Sequence, residues 1–143
     1  MLTLVFDALK GYVPVALAVA SGWPAAVVAA IGLGAFIGHL WPVFFKFEGG
    51  KGVATAAGVL LGFDPALGGL VLLVWIGMAA VFRYSSLAAL TASLAAPALQ
   101  VWLNGPSLMT VAVAVMSALL IWRHAPNIRK LIAGQESKIG QKA

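Results

Sequence analysis

A lysine framed by glycines, Gly49-Gly50-Lys51-Gly52, stands directly ahead of Val53-Ala54-Thr55 and an apolar run that reads as the opening of a helix. A helix start carries backbone N–H groups with no intrahelical acceptor, glycine lets an anion come close to them, and a lysine adds a full positive charge. Together they predict a seat for a phosphate. Lys51 and the N–H groups of Gly50 to Val53 would grip the anion, with Gly49 shaping the turn, Thr55 lining it and His39 able to add a hydrogen bond. The stretch is not a nucleotide P-loop, because Phe45 stands where that motif needs a glycine, Gly52 where it needs Ser or Thr, and no strand precedes. Read from spacing alone, the competing account is a glycine-rich turn whose lysine marks membrane topology.

Other chemistries are excluded by what the chain lacks. It has no cysteine, so a thiol nucleophile, a thiolate metal site and a disulfide are ruled out. Two histidines and four carboxylates, scattered along the sequence, make neither a metal site nor a cofactor anchor, and no nucleophile elbow is present. A net charge of +5 could suggest nucleic acid, but these cations sit at the ends of apolar segments, where they set membrane orientation. No nucleic-acid partner is expected.

Charged residues are 9% of the 143 and apolar ones 62%, with a mean hydropathy of +1.02. Soluble domains carry about a quarter charged residues, so this chain belongs in a bilayer. The expected fold is all-α: a polytopic helical bundle of about six crossings over residues 1–123, with a cytoplasmic loop at 41–52, and a cytoplasmic amphipathic tail over 124–143. Six apolar segments run from about Leu2 to Ala20, Ala25 to Leu40, Val53 to Phe63, Leu67 to Phe82, Leu87 to Leu103 and Leu108 to Trp122. Asp64, Ser85 or Ser86, and Ser107 are natural N-caps for the helices that follow them. No cleavable leader is expected, since Asp7 and Lys10 interrupt the first apolar run.

The third segment is short for a crossing, and charge placement arbitrates. If it crosses, Lys10, Lys46, Lys51, Arg83, Arg123 and the tail cations share one side, and the opposite connectors hold no Lys or Arg. Trp23 and Trp102 then mark one interface and Trp41 and Trp122 the other. Small residues at every fourth position, in Ala30/Gly34/Gly38, Ala54/Gly58/Gly62 and Ala88/Ala92/Ala96, predict close helix packing. Asp7 and Lys10 share one face of the first helix, either as a mutual ion pair or as the lining of a polar site. From Ala125 to Ile132 the tail reads as a short interfacial helix with Gly134 as its stop, an account that leaves His124, Asn127 and Glu136 without a purpose.

The run from His39 through Pro42 to Gly49-Gly50-Lys51-Gly52-Val53-Ala54-Thr55 resembles the signature loop of the acyl-phosphate-dependent glycerol-3-phosphate acyltransferases of bacterial membranes, the PlsY family. His124, Asn127, Glu136 and Lys138 fall where that family has its third signature. Asp7, Lys10 and Gly11 match its Asp-x-x-Lys-Gly, and Tyr84-Ser85-Ser86-Leu87 matches a recurring turn. The resemblance implies a multi-pass enzyme of the bacterial inner membrane, with its active face and C-terminus cytoplasmic. It would move a long-chain acyl group from acyl phosphate to the sn-1 hydroxyl of glycerol 3-phosphate, with no cofactor and no metal. Lys51 and its glycines would then hold glycerol 3-phosphate, while His124 and Asn127 orient the reacting groups. Ser85 would belong to the polar lining, and Glu136 would anchor the tail.

That family carries, ahead of this region, a further crossing and a Ser-Gly-Asn…Gly-Ala-Thr-Asn…Arg signature, so the resemblance implies a chain lacking its N-terminal part and a second anion site left incomplete. Glu48 also departs from the family, standing where a basic residue is common. Two other readings compete: an inactive remnant serving as a membrane anion-binding bundle, and a small anion transporter. An inverted repeat would favour transport, and none is visible.

Overall fold

The computed structural model of the chain describes residues 2–42 and 49–141, which form seven helices and no strand. They are α1 (Leu2–Ala20), α2 (Ala25–Leu40), α3 (Val53–Phe63), α4 (Pro65–Phe82), α5 (Ser85–Asn104), α6 (Leu108–Arg123) and α7 (Ala125–Ile132). Lys46 and Glu48, which the sequence reading used as a topology mark and as a departure from the family, lie outside the described residues.

Three helices, α1, α4 and α5, are long and apolar enough to cross a membrane. A fourth crossing forms if α6 and α7, bent by 57° at His124, count as one; α2 and α3 are shorter apolar helices. The brevity of α3 has a physical reason. It packs on α1, α2, α4 and α6, so its sides are covered by protein, where a short helix and irregular backbone are tolerated at depth. One core cluster joins Val15, Val28, Phe36, Leu40, Val59 and Leu120 of α1, α2, α3 and α6. A second joins Leu60, Leu67, Val71, Ala92, Ala96 and Val113 of α3 to α6.

The α1–α3 contact depends on missing side chains. A Cβ on Gly58 would collide with the Ala8 carbonyl oxygen, one on Gly11 with that of Thr55, and one on Gly62 would come within 2.9 Å of Val15. Neither backbone can yield without moving its helix. Gly58→Ala should therefore lower stability by about 1–3 kcal/mol, the usual cost of overpacking, read as a fall of several degrees in the melting temperature in detergent. An unchanged melt would show that α1 is not held at this spacing.

Several expectations are corrected. The stripe Ala30/Gly34/Gly38 faces outward, with nothing near Gly34 or Gly38; Gly32, one step round the helix, is the residue packed against Phe63 and Val59. Ala88, Ala92 and Ala96 are buried as expected. Asp64 caps α4 by accepting from the Ala66 N–H at 2.8 Å, and Ser107 forms a capping box with Thr110 on α6. Neither Ser85 nor Ser86 caps α5: Tyr84 occupies that position without a side-chain cap, and Ser85 is already helical. Gly134 takes a positive φ of 67° just past α7, as its reading as a stop requires.

Candidate active site

At the end of the bundle that holds Lys51, four separate stretches meet: the glycine loop, the start of α5, the His124 bend and the tail beyond α7. Each glycine of the loop has its own reason to lack a side chain. A Cβ on Gly49 would strike the carbonyl oxygens of His39 and Leu40, and one on Gly50 would lie 2.6 Å from His39 Nε2. Gly52 is left-handed at φ 85° and sits over the Phe36 ring. The loop is thereby laid flat against the last turn of α2. Arg123 holds it from the other side, its Nη2 donating to the Gly49 and Gly50 carbonyls at 2.8 and 3.2 Å. The Arg123 guanidinium also lies 5.9 Å from the Trp41 ring centre, and that ring is 6.0 Å from Trp122.

Gly52 is the N-cap of α3, whose ladder begins with the Ala56 N–H donating to the Gly52 carbonyl at 2.8 Å. The N–H groups of Val53, Ala54 and Thr55 precede that bond and have no acceptor within the helix; of the groups expected to grip an anion, Gly50 to Val53, only Val53 is among them. Thr55 is fully buried beside Gly11 of α1, and its hydroxyl has no partner among the described residues.

Lys51 is exposed, and its Nζ donates to Asn127 Oδ1 at 2.7 Å across 76 residues of sequence. Asn127 Nδ2 in turn donates to Glu136 Oε1 at 2.8 Å, and Ser86 Oγ to the same oxygen at 2.5 Å. Partial burial works against the charge of Glu136. The bonds from Ser86 and Asn127, with Lys130 and Lys51 nearby, outweigh it and hold the carboxyl below its ordinary value. Glu136 thus fixes the tail to α5 and α7 together. Beyond it, the Ile139 N–H donates to the Arg83 carbonyl at 2.7 Å, Arg83 Nη2 donates to the Ile139 carbonyl at 2.8 Å, and Lys138 lies 5.6 Å from the Tyr84 ring centre.

His124 is 2% exposed, and its Nδ1 lies 2.8 Å from the Leu120 carbonyl. A carbonyl can only accept, so Nδ1 carries a proton and the neutral ring offers Nε2 as an acceptor. Burial pushes His124 below the usual histidine value. The Leu120 bond and Glu136 pull it up and Lys51 pushes it down, with a net lowering from 6.5. Because the folded value lies below the unfolded one, the neutral ring's contribution to stability is complete above about pH 6.5 and is lost as the pH falls through the folded value. Melting temperatures taken from about pH 7.5 to about pH 5 should fall, and His124→Gln should flatten that fall.

The structure unites Lys51, Gly49, Gly50, Gly52 and Val53 with His124, Asn127 and Glu136, and His39 borders them through Gly50. It keeps Asp7 and Lys10 as an ion pair, Lys10 Nζ to Asp7 Oδ1 at 2.6 Å, with His39 Nδ1 3.5 Å from the same oxygen. Ser85 is exposed, and its neighbour Ser86 makes the inward bond. Two participants escaped the sequence reading. Arg123 was read as a topology cation, although its place beside His124 was a signal, and Ser86 stood one residue from the serine chosen.

Comparison with known proteins agrees on one family. The profile described as glycerol-3-phosphate acyltransferase matches residues 1–134. Proteins named glycerol-3-phosphate acyltransferase from Burkholderia ambifaria and Burkholderia multivorans are 57% and 54% identical over 144 residues, each match covering 99% of this chain and 68% of the relative. Among solved structures, the crystal structures of PlsY (YgiH), an integral membrane glycerol 3-phosphate acyltransferase, are similar in both the glycerol 3-phosphate and the lysophosphatidic acid forms. Each is 40% identical, with TM-scores of 0.93 and 0.92, covering 97% of this chain and 70% and 71% of those chains.

Proposed function

The chain belongs to the glycerol-3-phosphate acyltransferase family, and from that premise we propose that it transfers a fatty acyl group from a long-chain acyl phosphate to the sn-1 hydroxyl of glycerol 3-phosphate, giving lysophosphatidate. The observation that carries the reading is the 2.7 Å bond between Lys51 and Asn127, which joins a glycine-framed cation and helix start to the His124 bend. The phosphate of glycerol 3-phosphate sits against Lys51 and the N–H groups of Gly50 to Val53. Lysine has three N–H donors, and Asn127 takes one, aiming the other two at the anion. His124 Nε2 accepts from the acceptor's hydroxyl and sets its direction, with Asn127 beside it.

An acyl phosphate is a mixed anhydride, so its carbonyl is already activated and little covalent help is needed. The sn-1 oxygen bonds to the carbonyl carbon, the carbon–oxygen bond to phosphate breaks, and the hydroxyl proton leaves with the phosphate. A groove of about 530 Å³ with an almost wholly apolar lining, reaching from Val53 and Ala54 down to Leu61 and Val71, suits the acyl chain. The lipid-facing sides of α1 and α4 and the cations gathered at the Lys51 end support a multi-pass protein of the bacterial inner membrane whose reacting face is cytoplasmic. Protein reconstituted in vesicles with labelled glycerol 3-phosphate should form lysophosphatidate from acyl phosphate and none from the corresponding acyl thioester. Bound label without product would leave an anion-binding bundle, and accumulation inside vesicles a transporter.

A further inference from the structure

α3 runs without a break from the loop of Lys51 to the Asp64 turn, and its faces have different neighbours. Gly58 and Gly62 meet α1, and Thr55 lies beside Gly11. Val59 and Leu60 enter the two core clusters. Val53, Ala54, Ala57 and Leu61 are left partly exposed, and all four line the apolar groove. Their spacing of three and four residues sets them one above another on a single helical face. The groove therefore follows that face of α3 downward, starting directly after Lys51 and Gly52.

Its lower end is closed by backbone. α3 and α4 converge on the Asp64 turn, and at Gly68 a Cβ would lie 2.6 Å from both the Cα and the Cγ of Leu61. Leu61 thus rests on α4 where that helix has no side chain to hold it off. From Val53 to Leu61 is eight residues, about 12 Å along the axis, and Ala57 stands halfway. An extended chain advances roughly 1.2 Å per bond, as an extended backbone does with its three bonds per residue. A chain of about six carbons headed at Val53 ends near Ala57, and one of about eleven ends near Leu61. The passage is open at an alanine and stopped at a leucine.

We propose that Ala57 and Leu61 select the acyl donor by chain length: Leu61 stops a chain running down α3, and Ala57 keeps the way to it clear. This rests on the acyl-phosphate reading and adds to it the residues that measure the chain. A pocket gains or loses about tenfold in specificity for a single methylene it admits or excludes, so a side chain of three further carbons at position 57 is enough to invert a preference.

The test compares hexanoyl, decanoyl and hexadecanoyl phosphate as donors to labelled glycerol 3-phosphate, using the reconstituted wild-type chain, Ala57→Val, Ala57→Leu and Leu61→Ala. The quantity read is the ratio of kcat/KM for the long donors to that for hexanoyl phosphate. Both rates come from the same preparation, so a loss of folded protein cancels. Ala57→Leu should lower the hexadecanoyl ratio about tenfold or more, with Ala57→Val between it and the wild type. Leu61→Ala should move the same ratio the other way. Ala57 is partly exposed, so a leucine there displaces ligand more than core. The inference is overturned if Ala57→Leu keeps the ratio within about twofold of wild type, or if Leu61→Ala lowers it; the second result needs no enlarged side chain to be accommodated. Wild-type protein that forms no lysophosphatidate from any of the three donors defeats the acyl-phosphate reading itself, and this inference with it.

Discussion

Lys51→Ala is expected to raise the KM for glycerol 3-phosphate about 10- to 100-fold while leaving the apparent affinity for the acyl donor's chain unchanged. The magnitude follows from losing a hydrogen bond to a charged group, worth about 1.5–3 kcal/mol, where about 1.4 kcal/mol is a factor of ten. Lys51 is exposed, so its removal should not unfold the bundle. Lys51→Arg should recover part of the loss, since charge returns but the fork cannot keep both Asn127 and the phosphate in the lysine's geometry. The check is steady-state kinetics at fixed ionic strength, because screening weakens an exposed cation. A KM within twofold of wild type would remove Lys51 from the substrate site.

The helices were legible because membrane helices announce themselves: long apolar runs bounded by Ser21-Gly22-Trp23-Pro24, Asp64-Pro65 and Asn104-Gly105-Pro106-Ser107 leave few alternatives. Which face of each helix turns inward was not legible. Ala30/Gly34/Gly38 and Ala54/Gly58/Gly62 read alike, yet only the second pair of glycines meets another backbone. In a chain this apolar the outward face is as hydrophobic as the core, so periodicity no longer separates them.

Lys51 was legible because three glycines frame it, and His124 and Asn127 because an interfacial helix leaves them without a purpose; the structure brings the three to one end of the bundle. Arg123 and Ser86 were missed for the opposite reason. A membrane-edge arginine and a helix-start serine already have ordinary explanations, and only the distances to Gly49 and Glu136 give them another.

Asn127→Ala should lower turnover by about 10- to 100-fold and also raise the KM for glycerol 3-phosphate, a combination that distinguishes it from Lys51→Ala. Asn127 stands between a cation and a carboxylate, accepting from Lys51 at 2.7 Å and donating to Glu136 at 2.8 Å. Its amide keeps those opposite charges apart while bonding to both. With the amide gone, the Glu136 carboxylate, ionised because Ser86 and the nearby lysines favour its charge, becomes the nearest acceptor for Lys51. An ion pair there would neutralise the phosphate seat from within. Asn127→Asp should be worse than alanine, since it sets a second carboxylate beside Glu136 and beside the substrate's own anion. The decisive variant is Asn127→Ala combined with Glu136→Gln. If capture of Lys51 raises the KM, removing the carboxylate's charge should restore most of it, leaving the turnover defect that belongs to the lost amide. Should the double variant keep the full KM defect, Asn127 contacts the substrate directly and does not act by holding Lys51 and Glu136 apart. Wild-type kinetics in a stably folded Asn127→Ala would take the residue out of the site altogether.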